Sequence, residues 1–527
     1  MLFNSYLFIF IFLPIVLIVW FFLNNLKQYK LAEIFLVGMS LWFYAYFNYA
    51  YIFIIVGSCL FNFLISYFIN RIEIKTDREK KLLLKPKNID CNEKVNNDNV
   101  TIKDKRNSNN KYIKILGIVG IVANIGILFY YKYYDFFIEN VNAIFHTDYN
   151  LKHILLPLGI SFFTFQQLSY VIDRMKGDAP HYGIIEYMSF VTFFPQLIAG
   201  PIVLHSELVP QFRDLEKRKF NVDNFTDGCV QAILGLGKKV LLADTLALVV
   251  NEAYFNRYYF TTWSVIVFIL AYAFELYFDF SGYCDIAMGI GKMFNYTIPR
   301  NFNYPYRSTS MKEFWNNWHI TLGRFFVTYV YIPLGGSRKG TKRKLLNYMI
   351  VFLLSGLWHG SSWNYVLWGV LNGLGVIFNN LNLKPLKNRF VAWLCTFSYF
   401  LFTLIIFRCE NMTDVGIVFK GSCNPVGVKF IVDMAQYMDI PELYVFKRAL
   451  EMVAPQMIRG LYFGAFTLLM VISALLLRGK NAEDIVKEGN YTTKKAIGLS
   501  VILIWSIISL SGVSTFLYFK FLSEADV

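Results

Sequence analysis

FWNNWHITLGRF (314–325), YIPLGGSRKGTKRK (331–344) and LLSGLWHG (353–360) follow one another between Phe314 and Gly360, and their reading decides how the chain is built. His319 and His359 each follow a tryptophan. Arg338, Lys339, Lys342, Arg343 and Lys344 put five positive charges into seven residues just before the apolar run 345–357. Clustered Lys/Arg beside an apolar run marks the cytoplasmic face of a membrane. His359 lies fifteen residues beyond Lys344, at most about 22 Å along a helix. That reaches past the middle of a hydrocarbon core about 30 Å thick. An ionisable side chain at such depth is expensive and by default functional. The stretch reads as a surface loop leading to a reaction centre inside the bilayer.

The rest of the 527-residue chain has the same character. It is 56% hydrophobic and 17% charged, where a soluble domain carries about a quarter, and its mean hydropathy is +0.42. Apolar runs near the roughly 20 residues that cross a bilayer lie at 5–25, 31–49, 51–70, 112–132, 228–250, 262–283, 345–357, 362–379, 389–408, 460–477 and 496–518. The expected fold is all-α and multi-pass. The run 345–357 is too short to span alone and is expected to be broken or re-entrant, which is tolerated only where protein or a cavity covers its backbone. The stretches 154–172 and 187–204, which carry Pro157, Pro195, Gly200 and Pro201, read as short or broken helices. Met1 to Ser5 has no positive side chain and no small-residue cleavage site follows, so 5–25 reads as a retained span.

Charge sets the orientation. Lys27 and Lys30 follow the first run, the turn from Phe47 to Tyr51 is uncharged, and 71–112 holds twelve Lys/Arg against seven Asp/Glu. These agree with an N-terminus outside and a cytoplasmic 71–112. That segment is rich in Lys, Asn and Asp, and reads as a disordered loop. The expected organisation is N-terminal transmembrane helices (1–70), the polar loop (71–112), a core (113–410), and a C-terminal part (411–527) with a loop or amphipathic segment and two more spans. The net charge of +15 reflects topology and anionic lipid headgroups. No basic patch carries a nucleic-acid motif, so a nucleic-acid partner is not expected. The seven cysteines form no CxxC pair, and neither a disulfide framework nor a metal site is inferred. GLGKK (235–239) fails as a phosphate loop, because Ala232 stands where the first glycine belongs and Lys239 replaces Ser/Thr. No GxSxG or HExxH occurs.

His359 is the first candidate catalytic residue, since a histidine can take a proton from a hydroxyl and return it to a leaving group. His319 is the second. Apolar residues at 311, 314, 315, 318 and 322 predict a helix, on which Trp315 shares a face with His319 four residues later. Glu275, Asp279 and Asp285 interrupt an apolar run. They are expected to pair with buried arginines such as Arg300, Arg307 or Arg324. His146, His153, His181 and His205 lie near polar segments and read as surface residues.

Several blocks in register resemble one family: PLGISFFTFQQLSYVIDRMKG (157–177), FFPQLIAGPIV (193–203), LGLGKKVLLAD (234–244), the run from Phe278 to Leu322, YIPLGGSRKG (331–340) and LSGLWHGSSWNYVLWGVLNG (354–373). The chain resembles the membrane-bound O-acyltransferases (MBOAT), in their bacterial alginate O-acetylation, AlgI-like branch. The resemblance implies a ring of tilted helices with re-entrant segments around a central funnel or tunnel, in a bacterial cytoplasmic membrane. It implies His359 as the catalytic histidine of LWHG and His319 as the earlier motif histidine. Asn316, Asn317, Trp315, Trp318 and Trp358 become candidate substrate-binding residues. Acetyl-CoA is the implied donor, with no bound cofactor and no metal. An exported polysaccharide is the implied acceptor, reached directly or through an extracytoplasmic SGNH-type partner. D-alanyl transfer to teichoic acid and peptidoglycan O-acetylation are the alternatives within the family. A transporter or export scaffold is the alternative outside it, and it lacks the paired halves such a scaffold predicts.

Overall fold

The computed structural model describes residues 1–83, 94–381, 386–425, 429–438 and 444–512. Among them the regular structure is helical. In chain order the α-helices are α1 (Leu13–Asn25), α2 (Tyr29–Ala45), α3 (Tyr51–Leu83), α4 (Lys94–Leu128), α5 (Tyr134–Phe145), α6 (Ile160–Lys176), α7 (Ile184–Thr192), α8 (Phe194–Leu197), α9 (His205–Arg213), α10 (Val222–Gly237), α11 (Thr245–Phe255) and α12 (Thr262–Met293). They continue as α13 (Met311–Asn317), α14 (Ile320–Phe326), α15 (Thr341–His359), α16 (Trp363–Asn379), α17 (Arg389–Arg408), α18 (Met412–Ser422), α19 (Lys429–Ala435), α20 (Tyr444–Val453), α21 (Ile458–Leu476), α22 (Ala482–Glu488) and α23 (Thr493–Ile508).

Among the described residues six helices are long and apolar enough to cross a membrane: Phe8–Asn25, Tyr51–Thr76, Asn110–Phe145, Thr262–Met293, Arg389–Arg408 and Pro455–Leu476. The protein is an all-helical, multi-pass membrane protein. Other runs expected to span form helices that are shorter or carry charge. The run at 31–49 becomes α2, the run at 362–379 becomes α16, and the run at 228–250 is wound through a π-turn, Lys238–Asp244, that holds two lysines and an aspartate. The run 345–357 is not broken. It lies within the unbroken α15, which starts among the basic residues and ends on His359.

The polar stretch 71–112 departs from the expected unstructured loop. α3 continues to Leu83 and α4 starts at Lys94, while residues 84–93 lie outside the described ones. Lys, Glu and Leu are good helix formers, so DREKKLL extends a helix already nucleated by the apolar run before it. By contrast FFPQLIAGPIV is irregular, as expected. α7 and α8 are short, and every residue from Phe190 to Val203 is buried. Non-helical backbone at membrane depth survives only inside protein.

α12 is the central element. Of its apolar window, 83% is buried, against 17% for Pro455–Leu476. Its start is closed by Thr261, whose side chain accepts from the Ser264 amide. Four glycines bring α10 against it in antiparallel register. A Cβ at Gly235 would lie 2.7 Å from the Gly282 oxygen, and one at Gly289 would lie 2.6 Å from the Gly228 oxygen. Small residues let membrane helices approach closely enough for dispersion and polar contacts to hold them, since lipid supplies no hydrophobic drive.

Polar groups complete the packing. Asn62 Nδ2 donates to Gln167 Oε1 at 2.7 Å and Asn124 Nδ2 donates to Asn62 Oδ1 at 2.6 Å, which joins α3, α4 and α6. Two carboxylates of α12, Asp279 and Asp285, find lysines and not the expected arginines. Lys239 Nζ lies 2.6 Å from Asp279 Oδ1 and Asp244 Oδ1, and Lys238 Nζ lies 2.6 Å from Asp285 Oδ2. The glycine approach explains this, because it sets the LGLGKK segment directly beside α12. Arg300 pairs with Glu483 and Asp484, Arg324 pairs with Glu207, and Arg307 donates to the Leu477 carbonyl at 2.9 Å.

Gly235→Leu should therefore wedge α10 from α12, and overpacking of this kind destabilises by about 1–3 kcal/mol. Its melting temperature in detergent should fall. Gly464→Leu, at a position with nothing within 4 Å of an added Cβ, should leave it unchanged.

Candidate active site

α13 stops at Asn317, and His319 takes a left-handed conformation (φ 47°, ψ 52°) before α14 begins. The predicted continuous helix through His319 is thus broken, and Trp315 and His319 do not share a helix face. A left-handed non-glycine residue carries strain on the order of 1 kcal/mol or more. Tertiary bonds enforce it here. Phe302 and Trp318 form an isolated antiparallel bridge, and the Ile320 amide donates to the Asn301 carbonyl at 3.0 Å.

Those bonds place His319 against Asn301. Asn301 Oδ1 accepts from the Thr321 amide at 3.2 Å and from the Thr321 hydroxyl at 3.0 Å, and lies 3.1 Å from His319 Nδ1. A backbone amide only donates, so the Asn301 atom facing it is the oxygen. His319 Nδ1 must then carry the hydrogen, and the Nε2 of the neutral ring holds the open lone pair. His319 is 2% exposed, and Nε2 has no hydrogen-bond partner among the described residues. The Thr321 hydroxyl accepts in turn from the Ile202 amide at 2.9 Å. This ties the GPIV segment to the histidine through one chain of bonds.

His359 is the last residue of α15. The rings of Trp358, Trp368 and Phe407 meet it edge-on at 5.0, 5.1 and 5.2 Å. It faces an apolar cavity with about 400 Å³ of unfilled space, counting the open mouth, whose walls include Phe280, Trp315, Trp318, Trp368 and Phe407. Trp358 stands between the histidines, 5.7 Å from the His319 ring. α15 and α16 close this end tightly. An added Cβ at Gly356 would lie 2.3 Å from the Tyr365 oxygen, and one at Gly369 2.5 Å from the Phe352 oxygen.

A second, polar cleft of about 280 Å³ is lined by Lys238, Cys284, Asp285, Arg300, Asn301 and Phe302, among others. Phe302 stacks edge-on against Phe280 at 5.0 Å, and Phe280 against His319 at 4.8 Å. Phe280, which lines the apolar cavity, thus packs against both Phe302 of the polar cleft and His319. The Arg300 side of the cleft is held by α22, outside the membrane-spanning helices. Burial pushes the Glu483 carboxyl up, but hydrogen bonds from Lys487 and Arg300 outweigh it and hold the group below its usual range. That clamp contributes stability above the ordinary carboxylate pKa and loses it as pH falls through the lowered value.

Of the candidate residues, the structure brings together His319, His359, Trp315, Trp318 and Trp358. It does not bring Asn316, which is exposed. Asn317 instead bonds Asn303 at 3.3 Å and Ser308 at 3.5 Å, bracing the segment before α13. His205, expected at the surface, is 2% exposed. It sits 3.0 Å from Asp173 and 2.9 Å from the Tyr182 hydroxyl. His181 is likewise part-buried, 2.9 Å from Ser66 Oγ, whereas His146 and His153 are exposed. Sequence reasoning missed Asn301, whose only signal was its place in the RNFNYPY part of a matched block. It also missed Lys132, a cation at the end of the apolar run 112–132.

The family model described as MBOAT, membrane-bound O-acyltransferase family, matches residues 176–413. A peptidoglycan O-acetyltransferase of Helicobacter pylori is 33% identical, with 99% of this chain and 98% of that protein covered. The chain belongs to the membrane-bound O-acyltransferase family. It is an acyltransferase, and the two histidines lie inside the matched region. A probable alginate O-acetylase AlgI of Pseudomonas putida is 34% identical, covering 78% of each chain. A teichoic acid D-alanyltransferase of Streptococcus thermophilus is 27% identical over 45% of this chain and 60% of that one.

Within this MBOAT site, Asn301→Leu removes the oxygen that fixes the His319 tautomer. The loss of such a partner is worth about 1–3 kcal/mol, so acyl transfer in membranes should drop roughly tenfold to a hundredfold. Asn301→Asp, which keeps the acceptor, should retain more. Full activity of the Leu variant at normal abundance would show that this bond is not used.

Proposed function

We propose that the protein moves an acetyl group from acetyl-CoA on the cytoplasmic side to hydroxyls of the cell-wall glycan on the other side. The observation that carries the reaction class is the pair of buried histidines around Trp358, one of them lining the apolar cavity and the other with a defined open lone pair. In this reading the acceptor hydroxyl attacks the thioester carbonyl. A C–O bond forms and the C–S bond breaks. A histidine takes the hydroxyl proton and returns it to the leaving thiolate. His359, which lines the cavity, is the general base or proton shuttle, and His319 assists through Nε2. General base catalysis is typically worth about 10²–10⁴-fold.

The polar cleft ending at Asn301 and the apolar cavity at His359 are the two approaches, for donor and acceptor. The likeness to a peptidoglycan O-acetyltransferase over 99% of the chain, against 78% for an alginate O-acetylase, favours peptidoglycan among exported glycans. The acetyl group passes directly or through an extracytoplasmic SGNH-type partner. The protein sits in the bacterial cytoplasmic membrane with its N-terminus outside and Arg338–Lys344 inside. A cysteine placed at Ser337 should react with an impermeant thiol reagent in inverted vesicles and not in intact cells; labelling of intact cells reverses the orientation.

Ester-linked acetate per muramic acid should be measured in purified sacculi from cells carrying wild type or His359→Ala at equal protein level. Loss of at least about 10²-fold is expected. Unchanged sacculi with loss of acetate from an exported polysaccharide would move the acceptor to that polymer. Loss of D-alanine ester instead would move the donor. Unchanged esters everywhere would remove His359 from the chemistry.

A further inference from the structure

α15 ends on His359 without closing its own carbonyls. Helices commonly finish with a left-handed glycine that turns the chain back to cover them, but Gly360 is extended (φ −162°). Its amide reaches only the Gly356 oxygen, at 3.4 Å. The Leu357 and Trp358 carbonyls are taken by side chains from another part of the chain. The Tyr133 hydroxyl donates to Leu357 at 2.8 Å, and Lys132 Nζ donates to Trp358. Two neighbours in sequence can serve one helix end because Phe129–Tyr133 is wound as a π-turn. Such turns are rare and frequently lie at functional sites.

Lys132 is an unusual residue for that task. It is 8% exposed, within the span Asn110–Phe145. Lys238 and Lys239 each meet a carboxylate at 2.6 Å, whereas Lys132 meets a carbonyl and stands 5.9 Å from the Trp358 ring centre. A positive side chain at a helix C-terminus complements the partial negative charge gathered there. The bond fixes the residue just before His359, on the indole that lies between the two histidines.

The geometry points to Lys132 as the positioning residue for His359, with Tyr133 as its second anchor. Lys132 holds the carbonyl end of α15, and so the His359 ring, in place at the cavity. This rests on the acyl-transfer reading of His359. Lys132→Met keeps the length and removes the donor; Lys132→Arg restores a cation that donates.

The experiment measures ester-linked acetate in cells carrying Lys132→Met, Lys132→Arg, Tyr133→Phe and His359→Ala, with each protein's membrane abundance and detergent melting temperature. The Met variant should lose roughly tenfold or more of its ester at unchanged abundance, and the Arg variant should recover most of it. A Met variant with wild-type ester content, or an Arg variant no better than Met, overturns the inference. Where Met fails to accumulate, Tyr133→Phe decides, and unchanged ester in it overturns the positioning role. His359→Ala separates the two claims. If it stays active the acyl-transfer reading fails, and if it is inactive while Lys132→Met is fully active only the present inference fails.

Discussion

Hydrocarbon cannot solvate a polar group, and that constraint governs the buried charges of this bundle. α12 carries Glu275, Asp279 and Asp285 through the most buried part of the molecule. Those carboxylates are tolerable because glycine contacts draw α10 and its trailing π-turn close enough for Lys238 and Lys239 to reach two of them. Close backbone approach and charge pairing are therefore one device. Removal of the glycines would separate the ions as well as the helices. Breaking a buried pair costs more than the pair itself contributes, because it strands the remaining charge.

The same constraint shapes the candidate site. The backbone turns sharply at His319, and a buried turn needs partners for its freed groups. Asn301, Thr321 and Ile202 supply them in one chain of bonds. The bonds that pay for the turn also fix which ring nitrogen of His319 is open. At the opposite side of Trp358, α15 simply stops, and donors from the Lys132–Tyr133 π-turn take its last carbonyls. A broken helix at His319 and the end of α15 at His359 thus present two histidines to one tryptophan.

Much of this was legible beforehand. Hydropathy gave the all-helical, multi-pass class, and the Trp-His pairs gave His319 and His359, because ionisable residues in apolar surroundings stand out. The two prolines and the glycine of FFPQLIAGPIV marked its broken helices for the same local reason. The break at His319 was hidden, since the periodicity from Met311 to Leu322 fits a helix and only bonds to Asn301 and the Phe302 bridge override it. Asn316 and Asn317 were drawn in by proximity to the motif, yet one faces outward and the other braces a loop. His205 looked like a surface residue because its neighbours in sequence are polar, but its neighbours in space are Asp173 and Tyr182.

By itself the sequence determined the membrane environment and the helical class and singled out the two histidines as candidates, since composition and isolated polar residues are properties of the chain read locally. Tertiary structure alone decided which lysine neutralises which aspartate, which nitrogen of His319 is open, and that Lys132, 226 residues before Trp358, caps the helix of His359. Each of these depends on a contact between distant segments, and a bond's partner is set by packing, not by its neighbours along the chain.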